Sequence, residues 1–396
     1  MSNLHFKEEI FMKKAVGLVL AGAMVLSMAA CGQGSSNGGS SDTVFKLGSI
    51  GPVTGQNAIY GNAVKNGIDL AVKEVNEAGG INGVKLEFDF QDDESDAEKA
   101  VNAYNTLKDW GMDILVGTVT STPCEAVVAK TSQDNVFQFT PSGTSVNAIQ
   151  YDNAFRMCFS DPSQGTVSAD YISENNLATK IGIIYDSSDT YSSGITDAFI
   201  KEAGTKGLEV VSKEAFTADS NKDFSVQIQK AKDAGAELLF LPIYYTETSL
   251  ILSQADKIGY DPVIFGCDGF DGILDVENFD TALAEDVMFL TPFSTNAEDE
   301  LTQKFVENFE KNYGGTPNQF AADAYDCVYA IKQAGEKAGI TADMSESEIC
   351  DALKKAMTEI EFTGLTGTNI KWGTDGEPQK APIVVKVVDG AYEILK

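Results

Sequence analysis

The sequence predicts an α/β protein of two Rossmann-like lobes, each a parallel sheet covered by helices. Three observations lead there. Strand and helix patterns alternate along the body. One stretch of that alternation returns 124 to 125 residues later. The chain, at 396 residues, also exceeds the roughly 250 to 300 residues at which a single core stops growing.

The elements follow in order. Residues 44–50 form a short apolar strand, followed by the loop GPVTGQ. Val64, Ile68, Ala71, Val72 and Val75 then recur at helical spacing, and Gly79 and Gly80 stop that helix. Leu86, Phe88 and Phe90 alternate with Glu87 and Asp89, the period of a half-exposed strand. A helix through Ala100, Val101, Tyr104 and Leu107 leads to a strand at 113–117, and a further helix leads to a strand at 136–140. Strands joined through helices pair in parallel and are covered on both faces.

The repeat is the second observation. NEAGGINGVKLE from Asn76 is echoed by KEAGTKGLEV from Lys201, and LKDWGMDILVG from Leu107 by AKDAGAELLFL from Ala231. Glu77 to Glu202 is an offset of 125, and Lys108 to Lys232 one of 124. Two echoes at nearly one offset indicate a duplicated lobe, although helix-Gly-strand junctions resemble one another in any α/β protein.

The N-terminus has another character. Lys13 and Lys14 precede an apolar run at 15–28, then Ala29, Ala30 and Cys31. That is the order of a secretory signal, and the run is shorter than the roughly 20 apolar residues of a membrane helix. Glu8 and Glu9 ahead of the lysines make Met12 an alternative start. The stretch LSMAAC resembles the lipobox of bacterial lipoproteins, with Met28 where leucine is usual, which implies a lipidated Cys31 as first mature residue. GQGSSNGGSSD after it has a flexible linker's composition. The expected organisation is signal peptide 1–30, lipidated tether 31–42, lobe one 43–160 plus 292–365, and lobe two 161–291 plus 366–396. The protein would then be extracytoplasmic, held at the outer face of the cell membrane by lipid.

Composition excludes several functions. Without residues 1–30 the chain has 26 basic and 57 acidic residues, the wrong sign for nucleic acid. The single histidine, His5, precedes the expected cleavage point, so the mature chain cannot run Ser-His-Asp or Cys-His chemistry; no enzyme, metal or cofactor is expected. Cys124, Cys158, Cys267, Cys327 and Cys350 lack Cys-x-x-Cys spacing and read as buried small hydrophobes, with no bridge assigned.

In open parallel sheets ligands bind beyond the carboxyl ends of the strands. In the first lobe those ends are the loops at 118–123 and 141–144, and the repeat places their counterparts near 241–247 and 267–269. One wall then offers Thr118, Thr120, Ser121, Thr122, Ser142 and Thr144; the other offers Tyr244, Tyr245, Glu247 and Asp268. Hydroxyls facing rings and a carboxylate suit a small zwitterion with an apolar part. Thr122, Pro123 and Glu125 read as a capping box, which makes Thr122 a cap and Ser121 the better contact. The helix start beside Ser121 can hold a carboxylate without arginine. Arg156, the only arginine, is expected in a structural ion pair. Asp268 before Gly269 also suits a plain turn, and Tyr244 and Tyr245 could divide between core and cleft.

At these loops the sequence resembles the leucine/isoleucine/valine-type substrate-binding proteins of ABC transporters, a branch of the type I periplasmic-binding-protein fold. The resemblance spans the mature body and implies that the two lobes are joined by a three-strand hinge. It is carried by GPVTGQNAIYGNAVKNGIDLAVKEVNEAGGINGVKLE, GTVTSTP, TPSGTS, FSDPSQG, DTYSSG and AFTADSNKDFSVQIQKAKDAGAELLFLPIYYTE. It implies that Ser121 and Thr144 hold a ligand α-carboxylate, assisted by the backbone of Ser142 and Thr144. It also implies that Asp268 meets the α-ammonium and that Tyr60, Tyr191 and Tyr244 shape the pocket. Many relatives carry Glu where Asp268 stands, and the cysteine pair of some has no counterpart around Asp92 to Asp96, so amino-acid binding is better founded than branched-chain selectivity. The implied partners are an ABC permease and its ATPase, with the binding protein itself a monomer. A sensor of the same fold, or a binder of an amide or urea, is the alternative.

Overall fold

A computed structural model describes residues 44–395 of the chain. The signal sequence, Cys31 and the tether lie outside them. The first part runs β1 (Val44–Gly51), α1 (Ala58–Glu77), β2 (Lys85–Asp92), α2 (Ala97–Trp110), β3 (Ile114–Val116), α3 (Ser121–Asp134), β4 (Phe137–Thr140) and β5 (Ala154–Arg156). Its five strands form a parallel sheet in the order β2-β1-β3-β4-β5. The apolar runs predicted as strands pair because both faces are covered: Leu47, Ile114, Val116, Phe137 and Phe139 are all buried.

The order then repeats. After α4 (Asp161–Glu174) come β6 (Lys180–Asp186), α5 (Thr190–Lys206), β7 (Glu209–Phe216), α6 (Ser225–Asp233), β8 (Leu238–Leu241), α7 (Tyr245–Lys257), β9 (Val263–Gly266) and β10 (Met288–Thr291), with strands ordered β7-β6-β8-β9-β10. β2 and β7 begin at Lys85 and Glu209, β3 and β8 at Ile114 and Leu238, and α3 and α7 at Ser121 and Tyr245, a spacing of 124 in each case. The two echoes in the sequence therefore mark equivalent positions of two like-ordered sheets.

The remaining chain ties the sheets together. α8 (Glu300–Tyr313), α9 (Gln319–Ala338) and α10 (Glu346–Met357) return to the first sheet, where α9 lies along α1. Gly67 makes that approach possible, because a Cβ there would stand 2.2 Å from the carbonyl oxygen of Ala321. A hairpin, β11 (Phe362–Gly364) with β12 (Gly367–Ile370), follows, and then β13 (Ile383–Val388) and β14 (Ala391–Leu395), which extend the second sheet antiparallel to β10. The chain thus passes between the sheets three times, at 157–160, 292–299 and 371–382. The hairpin straddles position 365, and Trp372 packs on Phe139 of the first sheet with its indole N–H donating 2.7 Å to the carbonyl of Arg156.

A buried ion pair fastens the passages. Lys380 Nζ lies 2.7 Å from Asp323 of α9, both almost wholly buried, and also donates to the Met157 carbonyl at 3.1 Å and to Thr366 Oγ1 at 2.8 Å. All five cysteines of the described residues are buried and unbridged.

Candidate ligand-binding site

In a sheet of order 2-1-3-4-5 the switch point lies between the first and third strands. Four segments leave the sheets there. The loop after β1 leads to Tyr60, the loop after β3 to Thr120 and Ser121, the loop after β6 to Tyr191, and the loop after β8 to Tyr244. They converge on one cavity between the sheets, about 240 Å³, whose lining includes Tyr60, Ser121, Ser142, Tyr191, Tyr244 and Asp268.

The hydroxyl wall is built on α3. Ser121 is its first residue, so its backbone N–H has no intrahelical acceptor. Ser121 Oγ accepts from Ser145 N at 3.2 Å and lies 3.4 Å from Thr144 Oγ1. Thr144 is wholly buried just behind the lining. Ser142 spends its hydroxyl on the Val119 carbonyl at 2.7 Å. Thr120 Oγ1 is buried without a partner and lines the cavity. Arg156 organises this wall from behind: its guanidinium donates to the carbonyls of Gly143 at 3.2 Å and Thr144 at 2.5 Å and pairs with Glu377 at 3.0 Å, the expected ion pair.

The opposite wall is built by the second sheet. Asp268 opens a short 3-10 turn after β9, so the turn reading holds for its backbone. Its side chain nevertheless faces the cavity and accepts from Tyr191 OH at 2.8 Å. The tyrosine hydroxyl in turn accepts from Gly269 N at 3.0 Å. Burial pushes the Asp268 carboxyl up to about 7, against the Tyr191 hydrogen bond that lowers it. Tyr244 stacks on Tyr191 with ring centroids 4.9 Å apart. Gly269 must be glycine, since a Cβ would stand 2.7 Å from Tyr191 OH and 2.8 Å from the Ile243 carbonyl.

The walls meet. Tyr60 OH donates to the Gly269 carbonyl at 2.5 Å. Tyr245 OH donates to the Gln56 carbonyl at 2.6 Å, and Asn221 Nδ2 donates to Gln56 Oε1 and Glu247 Oε1, each at 2.8 Å. Tyr244 lines the cavity, while Tyr245, also buried, fastens the two parts. Glu247 sits beside this contact rather than in the cavity, and burial raises it to about 7.

Thr122 corrects the sequence reading. The N-cap of α3 is Thr120, and Thr122 lies inside the first turn. Its hydroxyl donates to Asp189 Oδ1 at 3.0 Å and lies 3.2 Å from Thr190 Oγ1, both across the cleft. Glu125 accepts instead from Ser145 Oγ. Sequence reasoning also missed Val119 and Phe320, which line the cavity; the Phe320 ring lies 4.2 Å from that of Tyr60. Asn318 capping α9 at Ala321 N, 3.2 Å, is a readable helix start, yet nothing local says that this helix end returns to the cleft.

Two like-ordered α/β units closing on a small polar and aromatic cavity, joined by three passages, define a hinged ligand-binding protein of the type I fold. The chain belongs to the periplasmic binding protein family, whose sequence model matches residues 44–391. It is 31% identical to Leu/Ile/Val-binding protein homolog 3 of Brucella melitensis over 75% of this chain and 80% of that protein. It is 30% identical to the leucine-, isoleucine-, valine-, threonine-, and alanine-binding protein of Pseudomonas aeruginosa over 79% of this chain and 82% of that one. The crystal structure of the branched-chain amino acid transporter substrate binding protein LivJ from Streptococcus pneumoniae, in complex with isoleucine, superposes with a TM-score of 0.80 at 30% identity, covering 89% of this chain and 99% of that one. These relatives are substrate-binding proteins rather than enzymes.

Proposed function

We propose that this protein is the extracytoplasmic substrate-binding component of an ABC importer and that it holds an apolar amino acid, branched-chain foremost, by closing its two lobes. The observation that carries the reading is the opposition across one cavity of the α3 start with Thr120 and Ser121 to the Asp268–Tyr191 pair. A ligand α-carboxylate meets the free N–H groups and hydroxyls of the first wall, with Thr144 as the second hydroxyl, where the helix dipole favours an anion. Its α-ammonium meets Asp268, whose charge the cavity otherwise penalises. Tyr60, Tyr191, Tyr244, Val119 and Phe320 leave an apolar surround for the side chain. The named specificities of the Brucella and Pseudomonas relatives and the isoleucine of the pneumococcal one support this choice.

The lobes, expected at 43–160 with 292–365 and at 161–291 with 366–396, are drawn by the elements at 44–156 with 300–372 and at 161–291 with 383–395, hinged at the three passages. A lipid on Cys31 holds the body at the outer membrane face, and the monomer delivers its ligand to a permease and ATPase. A thermal-shift and calorimetric screen of the twenty amino acids, urea and short amides tests the reading. Leucine, isoleucine or valine should bind most tightly. Binding of an amide or urea in preference to every amino acid would overturn it.

A further inference from the structure

A second pocket opens on the first unit, away from the cleft, among α1, α8, α9 and β11. It measures about 520 Å³ counted to its open mouth. Its walls are aromatic. Phe305 meets Tyr325 edge-on at 4.9 Å between centroids, Tyr325 lies 4.7 Å from Tyr329, and Phe362 completes the lining. Its floor is a carboxylate: Glu74 Oε2 accepts from Tyr325 OH at 2.5 Å and Tyr329 OH at 2.9 Å, and Oε1 from Asn308 Nδ2 at 2.8 Å.

Those three donors are neutral, so they fix the carboxylate in place without cancelling its charge. No ion pair among the described residues involves Glu74 or the neighbouring Asp326. Asp326 spends its oxygens on the backbone N–H groups of Leu365 and Thr366, each at 2.9 Å, and on Thr366 Oγ1 at 2.7 Å. Lys304, exposed at the rim, is the one basic side chain of the lining. Ring faces and a fixed carboxylate attract an organic cation, and two acids in one pocket repel a ligand carboxylate.

We infer that this pocket binds an arylalkyl ammonium ion without a carboxylate, its ammonium on Glu74 and its ring among Phe305, Tyr325, Tyr329 and Phe362. The ligand class differs from that of the cleft, which presents donors to an anion as well as an acceptor to a cation. Phenethylamine is a direct probe, measured by calorimetry on the full chain in wild type, Glu74→Gln, Leu301→Trp and Asp268→Asn proteins. Leu301 is 41% exposed at the mouth, so tryptophan there plugs the pocket without disturbing the core. Phenethylamine should bind wild type and Asp268→Asn alike, at least about tenfold more weakly to Glu74→Gln, and not at all to Leu301→Trp. The proposal is overturned if millimolar phenethylamine does not bind wild type, if binding is lost in Asp268→Asn, or if Leu301→Trp binds as wild type does. Should Glu74→Gln fail to fold, the Leu301→Trp comparison decides alone.

Discussion

Asp268→Asn separates the cleft's two demands on one side chain. The amide keeps size and can still accept from Tyr191 OH, the bond observed at 2.8 Å, but it offers no charge to an ammonium. Removing one partner of a buried charge pair costs roughly 2 to 5 kcal/mol, which at about 1.4 kcal/mol per tenfold is a loss of ~30- to ~4,000-fold in affinity. Stability without ligand should move the other way. The folded carboxyl is raised from 3.8 to about 7, so the folded state binds the proton more tightly than the unfolded one. Wild-type stability from this group is therefore lost as pH rises from about 4 to about 7. Asparagine has no such dependence, so to the extent that the empty cleft keeps Asp268 buried as it is here, the variant should gain in melting temperature relative to wild type between pH 5 and pH 8. Calorimetry with isoleucine and melting at the two pH values read both effects. Wild-type affinity in the variant, together with a loss of stability without ligand, would refute the ammonium role and return Asp268 to a turn residue, with Glu247 the next partner to examine.

Other variants test other parts. Thr144→Val removes a hydroxyl 3.4 Å from Ser121 Oγ while keeping shape, and hydrogen bonds to charged groups contribute roughly 1.5 to 3 kcal/mol; isoleucine affinity should fall about ten- to a hundredfold with circular dichroism unchanged. Cys31→Ala should move the protein from the membrane to the soluble fraction with ligand binding intact, and membrane retention would refute lipid anchoring. Lys380→Met leaves Asp323 buried without its cation, which costs about 3 to 5 kcal/mol; the urea midpoint should drop sharply and recover in the Lys380→Met, Asp323→Leu double variant.

What the sequence made legible follows the range of each signal. Period and repeat are local or translational, so the strands at 44–50 and 136–140 appear within a residue or two of β1 and β4, and the 124-residue offset located Tyr244 and Asp268 from their first-lobe counterparts. Tertiary partners are not local. Thr122 fits a capping box by sequence, but its hydroxyl finds Asp189, 67 residues away and across the cleft, and Thr120 takes the cap. Phe320 reads as one more apolar residue of a buried helix, because only the second passage of the chain brings its end back to Tyr60. The aromatic pocket over Glu74 was invisible for the same reason: its lining comes from α1, α8, α9 and β11, far apart in the chain.

The charge of the second wall bears on the lobe closure proposed above. Asp161, Asp189, Glu247, Asp268 and Asp271 all belong to the second unit, and none pairs with a lysine or arginine among the described residues. Burial raises every one of them: Asp189 to about 6, Glu247, Asp268 and Asp271 to about 7, and Asp161 upward as well. Three touch the facing unit or its partners, since Asp189 accepts from Thr122, Asp271 accepts from Gln319 N at 2.8 Å, and Glu247 shares Asn221 with Gln56. An open cleft lets water solvate these acids; a closed one removes it, and an uncompensated buried charge is costly. Closure without ligand therefore takes up protons, whereas an ammonium beside Asp268 supplies the countercharge directly. A ligand shifts an equilibrium only by its differential affinity for the two states, and here that difference is the ammonium. Opening the cleft to water should return these carboxyls toward their ordinary range, so lowering pH from 8 to 5.5 should raise the closed fraction of the empty protein. Small-angle scattering reads this as a decrease in radius of gyration for the empty protein and no change for the isoleucine-saturated one. An empty protein whose radius is independent of pH over that range would show that the acids are equally buried in both forms, and that the ammonium does not gate closure.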